Sequence, residues 1–119
     1  MQKIESAART ALEMNRAIND HDIEALTSLL TEDCILEDHG PPPEGAIFRG
    51  KDEMIARWAD LFALYPDLRI DIEDLSGFGD RCELRWKKRT SEGSPPLRGI
   101  DIIHVRGGRA SLLLSYVKG

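Results

Sequence analysis

Apolar residues recur at helical spacing through positions 3–19, where Ile4, Ala7, Ala8, Ala11, Met14 and Ile18 alternate with charges, and this predicts an amphipathic first helix. "NDHD" breaks that pattern, and Asp22 suits the N-cap of a short second helix from Ile23 to Leu30. The period then falls to two. "CILED" (34–38) sets Cys34, Leu36 and Asp38 on one face of a strand and Ile35, Glu37 and His39 on the other. The prolines of "GPPPEG" cannot donate ladder hydrogen bonds, so the strand should stop there. A third helix is expected from about Lys51 to Tyr65, with Met54, Ile55, Trp58, Leu61, Phe62 and Tyr65 as its stripe and Pro66 as its stop.

Beyond Pro66 the pattern is strand throughout. "LRIDIEDL" (68–75) turns Leu68, Ile70 and Ile72 inward, and "RCELRWKKRT" turns Cys82, Leu84 and Trp86 inward. "SEGSPP" is a longer loop, "RGIDIIHV" and "ASLLLSYV" are the last strands, and "RGGR" is the hairpin turn between them. The sum is an α+β domain spanning 1–119: three helices with one short strand among them, then a four-stranded antiparallel meander that the helices cover on one face. The other face would carry Ile102, His104 and either Leu113 or the pair Leu112 and Leu114. That is too apolar for water, and a second copy packed sheet on sheet would hide it.

Composition narrows the function. With 119 residues, 41% of them apolar and 31% charged, the chain can build one real core. A net charge of -5 argues against a nucleic-acid surface. The one basic run, "RCELRWKKR", reads as the wet face of a strand. No stretch approaches the roughly 20 apolar residues of a membrane helix. The N-terminus lacks the apolar core of a secretion signal, so a cytoplasmic location is expected. Cys34 and Cys82 lack metal-type spacing and read as two buried thiols. His21, Asp22, Asp38 and His39 match no metal-ligand spacing, and no nucleotide loop or nucleophile elbow is present.

Three segments carry a resemblance: "ALEMNRAINDHDIEALTSLLTEDCILEDHG", "FRGKDEMIARW" and "RGIDIIHVRGGRASLLLSYVKG". Together they resemble the nuclear transport factor 2-like superfamily, in its SnoaL-like and ketosteroid isomerase-like members. The opening "helix, N-x-x-D, short helix, strand, acid" and the closing "G-x-D-x-x-x-V-x-x-G-[KR]" are the more specific parts. The resemblance implies a cone in which a curved, cystatin-like antiparallel sheet wraps the first helix and leaves a pocket for a small hydrophobic molecule. It also implies homodimers through the outer sheet face, and no cofactor.

Carried over residue by residue, the isomerase resemblance implies Asp38 as the base that moves a proton between carbons. It implies Asp101 as a protonated acid that supports the developing oxyanion, the logic of a carboxylic acid kept neutral by an apolar site, for which ketosteroid isomerase is the standard case. Met14 stands where those isomerases have a tyrosine, and a thioether cannot donate a hydrogen bond. The polyketide cyclase pattern finds no acid on the final strand, which offers Ser115 and Tyr116. The epoxide hydrolase pattern of two aspartates bridged by an arginine fits poorly, because Arg98 falls on the opposite strand face from Asp101.

Each candidate has a structural alternative. Asp38 could be a solvated strand-end charge, and Asp101 could hold a structural hydrogen bond or pair with Arg98. Trp58, Trp86, Met14 and Ile18 are either core or pocket wall, and Tyr116 either bonds a ligand or meets a second copy. Two functions are expected: a cofactor-free isomerase or cyclase acting on a carbonyl-bearing substrate, or a non-catalytic small-molecule-binding or dimerisation module. The 91–96 loop is a candidate lid.

Overall fold

The computed structural model describes residues 6–41, 43–91, 93 and 95–118. In chain order the elements are α1 (Ala7–Asn19), α2 (Ile23–Ser28), β1 (Leu30–Asp38), β2 (Ala46–Arg49), α3 (Gly50–Leu64), β3 (Arg69–Phe78), β4 (Arg81–Arg89), β5 (Leu97–Arg106) and β6 (Arg109–Val117). Ile4 and the expected first turn of the helix lie outside the described residues, as do positions 92 and 94 of the 91–96 loop.

The helix boundaries follow from their caps. Ser6 Oγ accepts from the Arg9 amide at the start of α1, and Asp22 Oδ1 accepts from the Ala25 amide at the start of α2. At α3 no side chain caps from Arg49. Instead Glu53, one turn in, accepts from the Arg49 amide at 3.0 Å.

Six strands form one sheet in the order β2-β1-β6-β5-β4-β3. It differs from the expected meander in two ways. β1 pairs with β6 in parallel, which places it between β2 and the four later strands. β2 is an additional four-residue edge strand opposite Ile35 to Asp38. Breaks in register at Leu30/Ile35, Ile72/Asp74 and His104/Val105 mark where strands bend. The second of these inserts a residue in β3, so Leu75 rather than Asp74 faces Leu84 and packs on the core.

The concave side of this curved open sheet holds α1. Ala7, Ala11 and Ala17 bring its backbone close to the strands, and Met14 and Ile18 extend into the space between. Met54, Trp58 and Phe62 of α3 close the same side. Cys34 and Cys82 are free, buried thiols within this core, and burial pushes both above the ordinary cysteine range.

The N-x-x-D segment has a structural task. The Asn19 amide donates to the Ile70 carbonyl at 2.8 Å and accepts from the Ile70 amide at 2.7 Å. It therefore satisfies both polar groups of a residue on the edge strand β3 and ties that strand to α1. Asp22, three residues on, caps α2. Between them His21 accepts a positive φ of 52°, stacks on Phe62 at 4.3 Å and meets the Leu68 carbonyl at 3.0 Å.

The final strand resolves the open choice of face. Leu113 and Ser115 are buried on the inner side, whereas Leu112, Leu114 and Tyr116 lie on the outer side with Ile100, Ile102 and His104.

Candidate functional site

A cavity opens between α1, α3 and the concave face of the sheet. Its walls include Met14 and Ile18 from α1, Trp58 and Leu61 from α3, and Leu36, Leu84, Trp86 and Leu113 from the strands. Its polar groups are Asp38, His39, Arg57, Lys88, Asp101 and Ser115, with Asn15 at the helix side. The space open to a water-sized sphere within it is about 60 Å³. An apolar chamber with a few convergent polar groups is the usual form of a small-molecule site.

Strand periodicity delivers most of these groups. Asp38 follows Cys34 and Leu36 on the inner face of β1, and its side chain is only 10% exposed. Lys88 continues the Cys82, Leu84, Trp86 series on β4. Asp101 shares its face with Ile103 and Val105 on β5, and Ser115 shares its face with Leu113 on β6. Arg57 projects from α3 one residue before Trp58.

Two clusters result. At the first, Arg57 Nε and Nη2 both donate to Asp38 Oδ2, at 2.9 and 2.6 Å. The other oxygen, Oδ1, accepts the His39 amide at 2.9 Å and lies 3.2 Å from His39 Nδ1. The Arg57 guanidinium stacks over the Trp58 ring at 4.6 Å, which holds it in plane. Asp38 is thus a fully engaged anion.

The second cluster surrounds Asp101. Trp86 Nε1 donates to Asp101 Oδ1 at 2.8 Å. Gly99 makes that geometry feasible: it sits opposite Trp86 in the sheet, and a Cβ there would lie 2.2 Å from the indole ring. The indole therefore lies across the β5 backbone with its N–H aimed at Asp101. Burial pushes the Asp101 carboxyl above its ordinary value and outweighs the hydrogen bonds from Ser115 and Trp86, which act the other way.

Ser115 joins the clusters. Its hydroxyl bonds the Asp101 carboxyl and lies 3.0 Å from His39 Nδ1. Burial holds His39 below its ordinary value, against the pull of Asp38 and with the repulsion of Lys88 and Arg57. His39 Nδ1 sits between the Ser115 hydroxyl at 3.0 Å and the Asp38 carboxylate at 3.2 Å, and no described residue bonds Nε2.

Of the residues singled out in the sequence, Asp38, Asp101, Met14, Ile18, Trp58 and Trp86 all line the cavity. Tyr116 does not. It is 56% exposed on the outer sheet face, because its neighbour Ser115 takes the inward position. His39 is a second correction. Its expected place opposite Asp38 assumed that the strand continued, but β1 ends at Asp38 and the chain turns, which brings the ring inward. Arg98 pairs with Glu73 at 3.2 Å and is no partner of Asp101. Arg57 and Lys88 were missed. Lys88 was legible from the alternation of β4, whereas Arg57 sits on the flank of a stripe that apolar periodicity does not resolve. Among the described residues, no three His, Cys, Asp or Glu side chains converge as a metal site. No described helix is long and apolar enough to cross a membrane.

The comparisons with known proteins agree with this architecture. No curated protein matches the chain. An NTF2-like protein of unknown function from Mesorhizobium loti is 31% identical, with a TM-score of 0.83 over 94% of this chain and 90% of that one. IdmH from Streptomyces antibioticus, a candidate polyketide cyclase, superposes with a TM-score of 0.77 at 21% identity, over 92% of this chain and 90% of its own. A candidate ketosteroid isomerase from Kribbella flavida gives 0.79 at 18% identity, over 94% of this chain and 77% of its own. The last two are likenesses of fold alone. The SnoaL-like domain family matches residues 11–112, nearly the whole of the helix-and-sheet unit that encloses the cavity. A chain so matched, folded as an NTF2-like curved sheet around its first helix, belongs to the SnoaL-like family.

Proposed function

We propose that the protein is a cofactor-free acid–base catalyst that moves a proton on a small carbonyl-bearing substrate held in this cavity. The observation that carries the reading is the pairing, through Ser115, of Asp101, whose carboxyl burial pushes above its ordinary value, with His39, whose ring burial holds below its own. The proton acceptor is placed one residue on from Asp38, at His39 Nε2. Asp38 is then a positioning residue: engaged by Arg57, it holds the imidazole tautomer and stabilises the imidazolium that forms.

In this mechanism His39 Nε2 takes a proton from the carbon next to the carbonyl. The C–H electron pair becomes the new carbon–carbon double bond, the carbonyl π pair moves to the oxygen, and Asp101 donates a hydrogen bond to the developing enolate. The imidazolium returns the proton to a different carbon, so no atom is gained or lost. The oxygen of Asp101 not bonded to Trp86 is the one that carries the donated hydrogen. The volume of about 60 Å³ is well below the roughly 300–1,000 Å³ of drug-sized pockets and favours a one-ring substrate over a steroid.

One observation favours a second reading. Met14 is 2% exposed at the cavity wall, and its sulfur supplies no hydrogen bond to an oxyanion. A cavity with weaker oxyanion support could hold a ligand without turnover. The conversion of 3-cyclohexenone to the conjugated 2-cyclohexenone, followed by ultraviolet absorbance, separates the two. The catalytic reading expects isomerisation above buffer that His39→Gln and Asp101→Ala each abolish. Binding without isomerisation, or a rate indifferent to both substitutions, overturns it.

We also propose that the outer sheet face joins two copies of the chain. Ile100, Leu112, Leu114 and Tyr116 form its apolar patch, and Ile100 and Tyr116 are 40% and 56% exposed. Leu112→Glu should convert a dimer to a monomer in analytical ultracentrifugation, and a monomeric wild type contradicts the proposal.

A further inference from the structure

The cavity's carboxylate oxygens are largely engaged, while several of its donors have no acceptor among the described residues. Asp38 Oδ2 receives two hydrogen bonds from Arg57, and Oδ1 faces the amide and ring of His39. Asp101 Oδ1 receives Trp86 Nε1, and Ser115 bonds the same carboxyl. On the donor side, Arg57 Nη1 and Trp58 Nε1 are buried with no acceptor among the described residues. Lys88 lines the same cavity with its ammonium 5.8 Å from the Trp86 ring centre, and no described carboxylate lies within ion-pairing distance of it.

The charges tell the same story. Asp38 and Arg57 pair with each other, whereas no described carboxylate pairs with Lys88 in this largely apolar chamber. Burial and the nearby Arg57 disfavour the ammonium, while Asp38 and Asp101 support it only at a distance. A half-buried cation of this kind is relieved by an anion that brings its own oxygens.

We infer that the natural ligand carries, besides its carbonyl, a carboxylate received by Lys88 and by the unpaired donors of Arg57 and Trp58, so that a small apolar keto acid is preferred over a neutral ketone of the same size. The inference rests on the proposed ligand site and adds the group that selects among ligands. The carbonyl to be enolised would face Asp101 and His39, with the carboxylate toward Lys88. A keto acid of one ring or a short chain satisfies both ends.

Benzoate and benzamide test this, since they match in size and differ in charge. Each is titrated into the wild type and into Lys88→Met, with the indole N–H resonances of Trp58 and Trp86 as the reporters of cavity binding. The wild type should bind benzoate at least tenfold more tightly than benzamide. Lys88→Met should lose at least tenfold in benzoate affinity and change less than twofold toward benzamide. Equal affinities in the wild type, or benzoate binding unaffected by Lys88→Met, overturns the inference and leaves the cavity a neutral-ligand site. Indole resonances that move with neither probe overturn the inference and the ligand-site reading together.

Discussion

Asp38 and Asp101 face one cavity from strands at different depths of the sheet, and the fold treats them in opposite ways. Asp38 ends β1 and is met by a guanidinium, a backbone amide and an imidazole. Asp101 sits among isoleucines in the middle of β5 and is met by an indole and a hydroxyl, with burial dominating. One carboxylate is compensated by a cation and the other by donors too weak to offset desolvation. Identical side chains thus meet different surroundings, and the proposed duties, one orienting a base and the other donating to an oxygen, follow from what each strand position places beside them.

The largest effect that could break this comparison concerns the base. His39→Gln keeps a side chain near Ser115 but removes the titrating nitrogen. The rate of cyclohexenone isomerisation should fall by about 10²–10⁴, the range for loss of a general base. A loss smaller than threefold would return the base to Asp38. Next is the ion pair. Asp38→Asn leaves the Arg57 charge largely buried and unpaired, and denaturant unfolding should show a loss of about 3–5 kcal/mol. Asp101→Asn should behave differently. An amide can still accept from Trp86, so the same experiment should show little loss at neutral pH.

The pH dependence sharpens the contrast. The proton on Asp101 is held more tightly in the folded chain than in the unfolded one. Its contribution to stability is therefore complete below the unfolded value and is lost as pH rises through the folded one. Asp101→Asn should thus gain stability relative to the wild type as pH rises through that window. His39 runs the opposite way. Its folded value is depressed, so its contribution is present above its ordinary value of 6.5 and lost as pH falls below it. The activity profile should be bell-shaped, falling on the acid side as His39 gains a proton and on the alkaline side as Asp101 loses one. The smallest effect expected is from Trp86→Phe. It removes a hydrogen bond that favours the ionised Asp101, so the alkaline limb should move upward.

Much of this was legible in the chain. Alternation in "CILED", "RCELRWKK" and "GIDIIHV" predicts which residues face inward, and it places both aspartates and Trp86 correctly. The N-cap at Asp22 and the stop at Pro66 follow from local chemistry. What escaped had physical causes. β2 is four residues between a proline loop and a helix, too short to show a period. The parallel pairing of β1 with β6 is a matter of topology that no local pattern encodes. His39 was misplaced because alternation holds only while the strand lasts. Arg57 was invisible because its importance lies in a partner 19 positions away, and a charged residue on a helix flank ordinarily faces water.

The central claim is that Asp101 holds its proton where ordinary aspartates have lost theirs. Carbon-13 labelling of the aspartate carboxyl groups, with Asp101→Asn to assign its resonance, reads this directly across a pH titration. The account predicts that the Asp101 signal keeps the position of the acid above 3.8, the ordinary value of an aspartate. An Asp101 signal that titrates at or below that ordinary value would contradict it.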